Sequence, residues 1–242
     1  MNLINANIDN ITQLWTTVGM RTATFHSEKN IEYCTITNSE WPNRLWFTGS
    51  FNVSIIERAR EILLRSKVPM KVSSWHNSDF SDELFVQYNF AQISEQTGMS
   101  VKLTSEYESD PGIELRKVST QQQATLWSEL LIHSFGYKIS QKVIVQSSAE
   151  VNYFVCYCNN SPVGVCLLYH NNSQIIGIHA MGIIPEMRRR GFAEEILRKI
   201  LTNSKYLGFS YAVLQASKTG KPLYRKYGFT EEFTMKNYQL KV

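Results

Sequence analysis

Between residues 151 and 184 the chain carries three apolar runs, VNYFVCYC, VGVCLLYH and QIIGIHAMGII, parted by NNSP and NNS. Apolar runs bounded by Asn, Ser and Pro predict three strands in an antiparallel meander. After Pro185 the period changes. Ala193, Ile196, Leu197, Ile200 and Leu201 fall on one face of a helix expected over 190–204. YAVLQAS (211–217) restores a strand, PLYRKYG (222–228) a short helix, and FTMKNYQL a final strand. Strand 174–184, helix 190–204 and strand 211–217 form a β-α-β unit, so the two strands are expected to run parallel through a right-handed crossover. Upstream, ELRKV (114–118) predicts a short strand. A helix follows, with Ser119 as N-cap and Ala124, Trp127, Leu130 and Leu131 at helical spacing.

The amino-terminal part is less regular. It holds an amphipathic helix in IIERAREILLRS (55–66), a strand-like MKVSSW, and a helix running into a strand within ELFVQYNFAQISEQTGMSVKLT (83–104). The polar stretch TSEYESDPG (104–112) closes on Pro111-Gly112, a strong turn signal, and is the expected boundary between parts 1–110 and 111–242. No heptad, short repeat or low-complexity segment is visible.

Composition narrows the classes. At 242 residues and 43% hydrophobic the chain can bury a sizeable core. A net charge of +4 is too small for a surface devoted to nucleic acid, which argues against such a partner. Cys34, Cys156, Cys158 and Cys166 form no CxxC pair or zinc-type spacing, and read as small buried hydrophobes, so no metal is expected. His26, His76, His133 and His170 form no cluster either. No apolar run is long enough to span a bilayer, and MNLINANIDN lacks the basic start and apolar core of a signal peptide. A cytoplasmic protein without a membrane partner is the expectation.

The chemistry concentrates at MGIIPEMRRRGFAEEIL, where a strand becomes a helix. The first turn of a helix offers unpaired N–H groups and the positive end of the dipole, a ready anion site. Gly191 and Ala193 clear the approach, the Phe192 ring can turn into the core, and Glu194 and Glu195 must point away from a bound phosphate. Neither GxxxxGK[ST] nor GxGxxG is present.

This stretch resembles the R/Q-x-x-G-x-G/A loop of the GNAT superfamily of acyl-CoA-dependent N-acyltransferases, with Arg188, Gly191 and Ala193 at the motif positions. LQASKTGKPLYRKYGF (214–229) is similar to the family's second CoA-binding segment, and SPVGVCLLYH to its third strand, with Gly164 in the usual place. The likeness covers residues 112–242. It implies an α/β fold: a mixed, mostly antiparallel sheet whose parallel pair splays apart, preceded by a smaller, degenerate GNAT-like region. Acetyl-CoA would be the cosubstrate. Its pantetheine would pair with Met181 and Ile183. Its pyrophosphate would sit over the segment of Arg189, Arg190, Gly191, Phe192, Ala193 and Glu194, with Ser217 as a weak further contact.

The resemblance also implies roles. Tyr224, in the LYxKxGF signature, would donate a proton to the departing CoA sulfur. His179, sharing a strand face with Met181 and Ile183, is either the amine's base or a core histidine; serotonin N-acetyltransferase is similar at this offset. Trp41, Trp46, Trp75, Phe47 and Phe51, near the pair Asn43-Arg44, either wall an acceptor pocket or form ordinary core. The implied activity is acetyl or short-acyl transfer to a primary amine, a small molecule or peptide, by a monomer or homodimer. The alternative is a CoA-binding regulatory or scaffold module without chemistry.

Overall fold

The first element is a helix without a clean apolar stripe, α1 (Leu3–Arg21), capped by the Asn2 side chain accepting from Asn5 N–H at 3.2 Å. Then follow β1 (Phe25–Glu28), β2 (Ile31–Cys34), β3 (Arg44–Phe47), α2 (Val53–Arg65), β4 (Lys71–Ser74), α3 (Asp79–Gln87) and β5 (Phe90–Lys102). The second half runs β6 (Ile113–Lys117), α4 (Gln121–Phe135), α5 (Gln141–Ser147), β7 (Asn152–Cys158), β8 (Ser161–Tyr169) and β9 (Ile175–Ile183). It ends with α6 (Phe192–Tyr206), β10 (Tyr211–Ala216), α7 (Lys221–Lys226) and β11 (Thr230–Leu240). The computed structural model describes residues 1–75, 79–104 and 107–241, so His76 and part of the 104–112 stretch lie outside the described residues.

All eleven strands join one sheet in the order β1-β2-β3-β4-β11-β5-β10-β9-β8-β7-β6. The meander β7-β8-β9 and the parallel pair β9–β10 form as the apolar pattern predicts. The halves repeat one plan: a three-stranded meander, a crossover helix, a parallel strand, a helix and a last strand. Their last strands are exchanged. β5 lies beside β10 and β11 beside β4, and β5 and β11 pair with each other along their length. The break at 104–112 therefore falls between β5 and β6 in sequence, while the sheet runs on across it.

Helices α1, α4 and α5 pack on one face around Leu14, Trp15, Trp127 and Tyr153. The other face carries α6 over Ile176, Ile178 and Leu214, and α2 with α3 over Leu45, Phe47 and Val72. Helix α4 starts one residue later than expected. Thr120 is the N-cap and forms a reciprocal capping box with Gln123, while Ser119 donates from its N–H and hydroxyl to the Gln123 side chain. Satisfying two orphan amides at once outweighs a single serine cap. The four cysteines are free. No helix among the described residues is long and apolar enough to cross a membrane, and no His, Cys, Asp or Glu group among them could hold a metal ion.

Candidate active site

Strands β9 and β10 pair only through Tyr211–Ile175, Ala212–Ile176 and Val213–Gly177. Beyond Val213 the two separate, and a cleft of about 1500 Å³ opens there. Met181, Ile183, Arg188, Arg189, Ala193, Gln215, Ser217 and Tyr224 line it from the second half, and Trp41, Asn43, Arg44 and Lys71 from the first.

At the cleft's mouth the chain leaves β9, makes a 3-10 turn at Pro185–Met187, and enters α6 through Arg189 at φ 60° and Gly191 at φ 82°. Positive φ at Arg189 and Gly191 redirects the backbone here, and turns of this kind can aim successive N–H groups at one concavity. The pairing pattern agrees: Arg188 N–H reaches Pro185 and Glu194 N–H reaches Gly191, but the amides of residues 189–193 have no partner among the described residues. A Cβ on Gly191 would meet nothing within 4 Å, so the space before these amides is open and the glycine serves its positive φ. Five free amides at a helix start fit a pyrophosphate.

The arginines are placed differently from one another. Arg188 turns back on the protein, its Nε donating to Ile183 O at 3.1 Å and its Nη2 to Ser134 O at 2.9 Å. It braces the ends of β9 and α4. Arg190 leans on Met187 Sδ and over the Phe192 ring at 5.1 Å. Arg189 is exposed and lines the cleft. Phe192 packs toward the α6 core. Glu194 points away, held by Arg198, Lys226 and the Tyr227 hydroxyl. Lys226 and Tyr227 hold its carboxyl down to about 2. Ser217, exposed at the end of β10, accepts from Gly220 N–H at 3.1 Å and so shapes the turn into α7.

Tyr224 stands on α7 with its ring 5.6 Å from Phe229. Its hydroxyl makes no hydrogen bond among the described residues, and burial pushes the phenol up to about 12. It is an uncommitted proton donor facing the cleft.

His179 needs a correction. A bulge between Val165 and Leu167 of β8 falls opposite Ala180, which adopts φ 47°. The extra residue flips the alternation. Ala180 packs toward the α1 and α4 face, whereas Met181 and Ile183 pack toward α6. His179 therefore shares α1's side of the sheet rather than the face of Met181 and Ile183. Asn10 Nδ2 donates to Tyr169 O, so its Oδ1, 2.9 Å from His179 Nε2, accepts and His179 carries its proton on Nε2. Gly177 allows this bond, because a Cβ there would lie 2.0 Å from Asn10 Oδ1. Burial lowers the imidazole to about 3. His179 still lines the cleft, and burial there favours its neutral ring.

The aromatic wall is also corrected. Only Trp41 of the five lines the cleft. Trp46 is buried against Trp15 at 5.2 Å, Phe47 and Phe51 pack with Phe85 under α2 and α3, and Trp75 packs against the α1-side core. What the pattern missed are polar residues on α1: Asn7 donates to Met99 O and Leu214 O and accepts from Gln215, next to Asn10 on His179. Buried asparagines on a helix face otherwise apolar were the available signal.

Residues 149–231 match the family model of the acetyltransferase (GNAT) domain. No curated protein matches the chain. Among solved structures, it is similar to a GCN5-related N-acetyltransferase from Kribbella flavida at 11% identity and TM-score 0.72, over 98% of this chain and 96% of that one. A GCN5-related N-acetyltransferase from Sphaerobacter thermophilus is similar at 15% identity and TM-score 0.63, over 86% and 76%. The match to the acetyltransferase (GNAT) domain model thus covers residues 149–231, and the α/β fold of nearly the whole chain is similar to that of these solved structures.

Proposed function

We propose that the protein is an acetyl-CoA-dependent N-acetyltransferase that moves an acetyl or short acyl group to a primary amine by direct attack in a ternary complex. The observation that carries this reading is the row of five unpaired amides at 189–193 beside the β9–β10 gap. An anion there gains hydrogen bonds and the helix dipole without competing for pairs the fold already uses. Met181 and Ile183, on the open part of β9, offer backbone groups to an extended pantetheine. Acetyl-CoA supplies the activated thioester.

Tyr224 donates the proton that the thiolate needs as it leaves. A phenol held near 12 is fully protonated at neutral pH and has no internal bond to break first. The attacking amine loses its proton to water in the open cleft, with the neutral His179–Asn10 pair as a fixed wall on the α1 side. We further propose residues 1–110 as a GNAT-like region whose Asn43-Arg44 end of the cleft receives the acceptor. The test is thiol release from acetyl-CoA across a panel of primary amines, with the acylated amine identified by mass. Amine-dependent release supports the reading; binding of CoA without release from any amine refutes transfer and favours the regulatory alternative.

A further inference from the structure

Arg44 carries a charge that the fold does not balance. It sits on β3 and lines the cleft, its guanidinium 4.4 Å above the Trp15 ring. Nη1 donates to Ser73 Oγ at 2.7 Å and Asn237 Oδ1 at 3.2 Å. Nη2 makes no hydrogen bond among the described residues, and Nε is buried without a partner. No carboxylate lies within ion-pair distance of it among those residues, although ten other pairs are formed. Two carboxylates, Glu40 and Glu95, line the cleft, but neither pairs with Arg44 among the described residues. Lys71 pairs with Arg44 in register and adds a second cation, with Lys138 also on the cleft wall. Glu40 accepts from the Lys138 backbone N–H at 2.7 Å instead. A part-buried guanidinium with neutral partners alone is costly unless a countercharge arrives from outside.

The position of Arg44 sets the length of what arrives. Its guanidinium bonds Asn237 on β11, and β5 separates β11 from β10, where the gap opens. Two strand spacings make about 10 Å across the sheet. That is roughly the extended length of three residues.

Resting on the acetyl-transfer reading above, we propose that the acceptor is a primary amine with a carboxylate several bonds away, on the scale of a short peptide, and that Arg44 binds that carboxylate. A planar guanidinium held in place by neutral acceptors on Nη1 keeps Nη2 free to donate to a carboxylate oxygen. The carboxylate accepts from Nη2 while the amine reaches the thioester beside Tyr224.

The experiment compares Gly, Gly-Gly, Gly-Gly-Gly and 6-aminohexanoate with their carboxamides as acceptors, in wild type, Arg44→Met and Arg44→Lys. A parallel titration binds N-acetyl-Gly-Gly-Gly or its amide to protein saturated with CoA. Wild type is expected to favour the longer acids over their amides by at least about 10-fold in kcat/KM, with Gly poor. In Arg44→Met the acid-to-amide ratio falls to within about two-fold, and Arg44→Lys retains part of it. A strong 6-aminohexanoate would show that the carboxylate rather than the peptide backbone is read. Acids and amides that react and bind alike in wild type overturn the proposal, whatever the variants do. If no amine is acetylated, transfer has failed, and the titration still decides: preference for the acid, lost in Arg44→Met, upholds the Arg44 site, and no preference overturns it.

Discussion

Replacing Tyr224 by phenylalanine removes one oxygen and separates two accounts of that residue. If Tyr224 were a packing residue, its ring would matter and its hydroxyl would not. The ring contact with Phe229 at 5.6 Å survives in phenylalanine. The hydroxyl bonds to nothing among the described residues, so its loss breaks no hydrogen bond. Stability is expected to change by less than about 0.5 kcal/mol, under roughly 2 °C in melting temperature for a chain of this length. Turnover responds differently. A positioned acid contributes about 10²–10⁴ in rate, so kcat is expected to fall at least about 100-fold while CoA affinity holds. Because the phenol is held near 12, the wild-type rate should show no alkaline limb from Tyr224 below about pH 11. The assay is thiol release against pH, with melting by fluorimetry and CoA titration on the same preparations. Turnover within two-fold of wild type would refute the acid role, and a drop of several degrees would make the residue structural.

Arg188→Ala removes two bonds to carbonyls that tie β9 to α4. It is expected to cost about 1 kcal/mol, or roughly 2–4 °C, by thermal melting; an unchanged melting point would show that the brace holds nothing. His179 gives a pH signature. The folded imidazole stays neutral to about pH 3, whereas the unfolded one takes a proton near its ordinary value of 6.5. Stability therefore falls as pH drops below about 6.5 and keeps falling toward 3, by up to about 1.4 kcal/mol per unit. His179→Gln should flatten that slope in denaturant titrations; equal slopes would contradict the burial argument. The variant should leave no missing ionisation in the pH–rate profile.

The elements around the site were legible where one residue's neighbours decide its structure. Ala193, Ile196, Leu197, Ile200 and Leu201 mark α6 because their spacing matches its turn, and Gly191 marks the left-handed entry because other residues avoid it. Three features depend on distant partners instead. α1 hides because Asn7 and Asn10 interrupt its buried face, and they do so to satisfy carbonyls of strands more than 90 positions away. The bulge at Ala180 flips His179 without glycine to announce it. The exchange of β5 and β11 leaves no local trace, since each strand's own pattern fits either neighbour. Arg44 was visible beside Asn43, but its missing countercharge appears only once α1, β4 and β11 surround it.

The amides of residues 189–193 are expected to grip the pyrophosphate of CoA. Calorimetric titration of the protein with CoA and with pantetheine, which lacks the adenosine and all three phosphate groups, tests this most directly. CoA is expected to bind saturably at a single site, with an affinity for pantetheine at least about 100-fold weaker. Equal affinity for the two, or no binding of CoA, would contradict it.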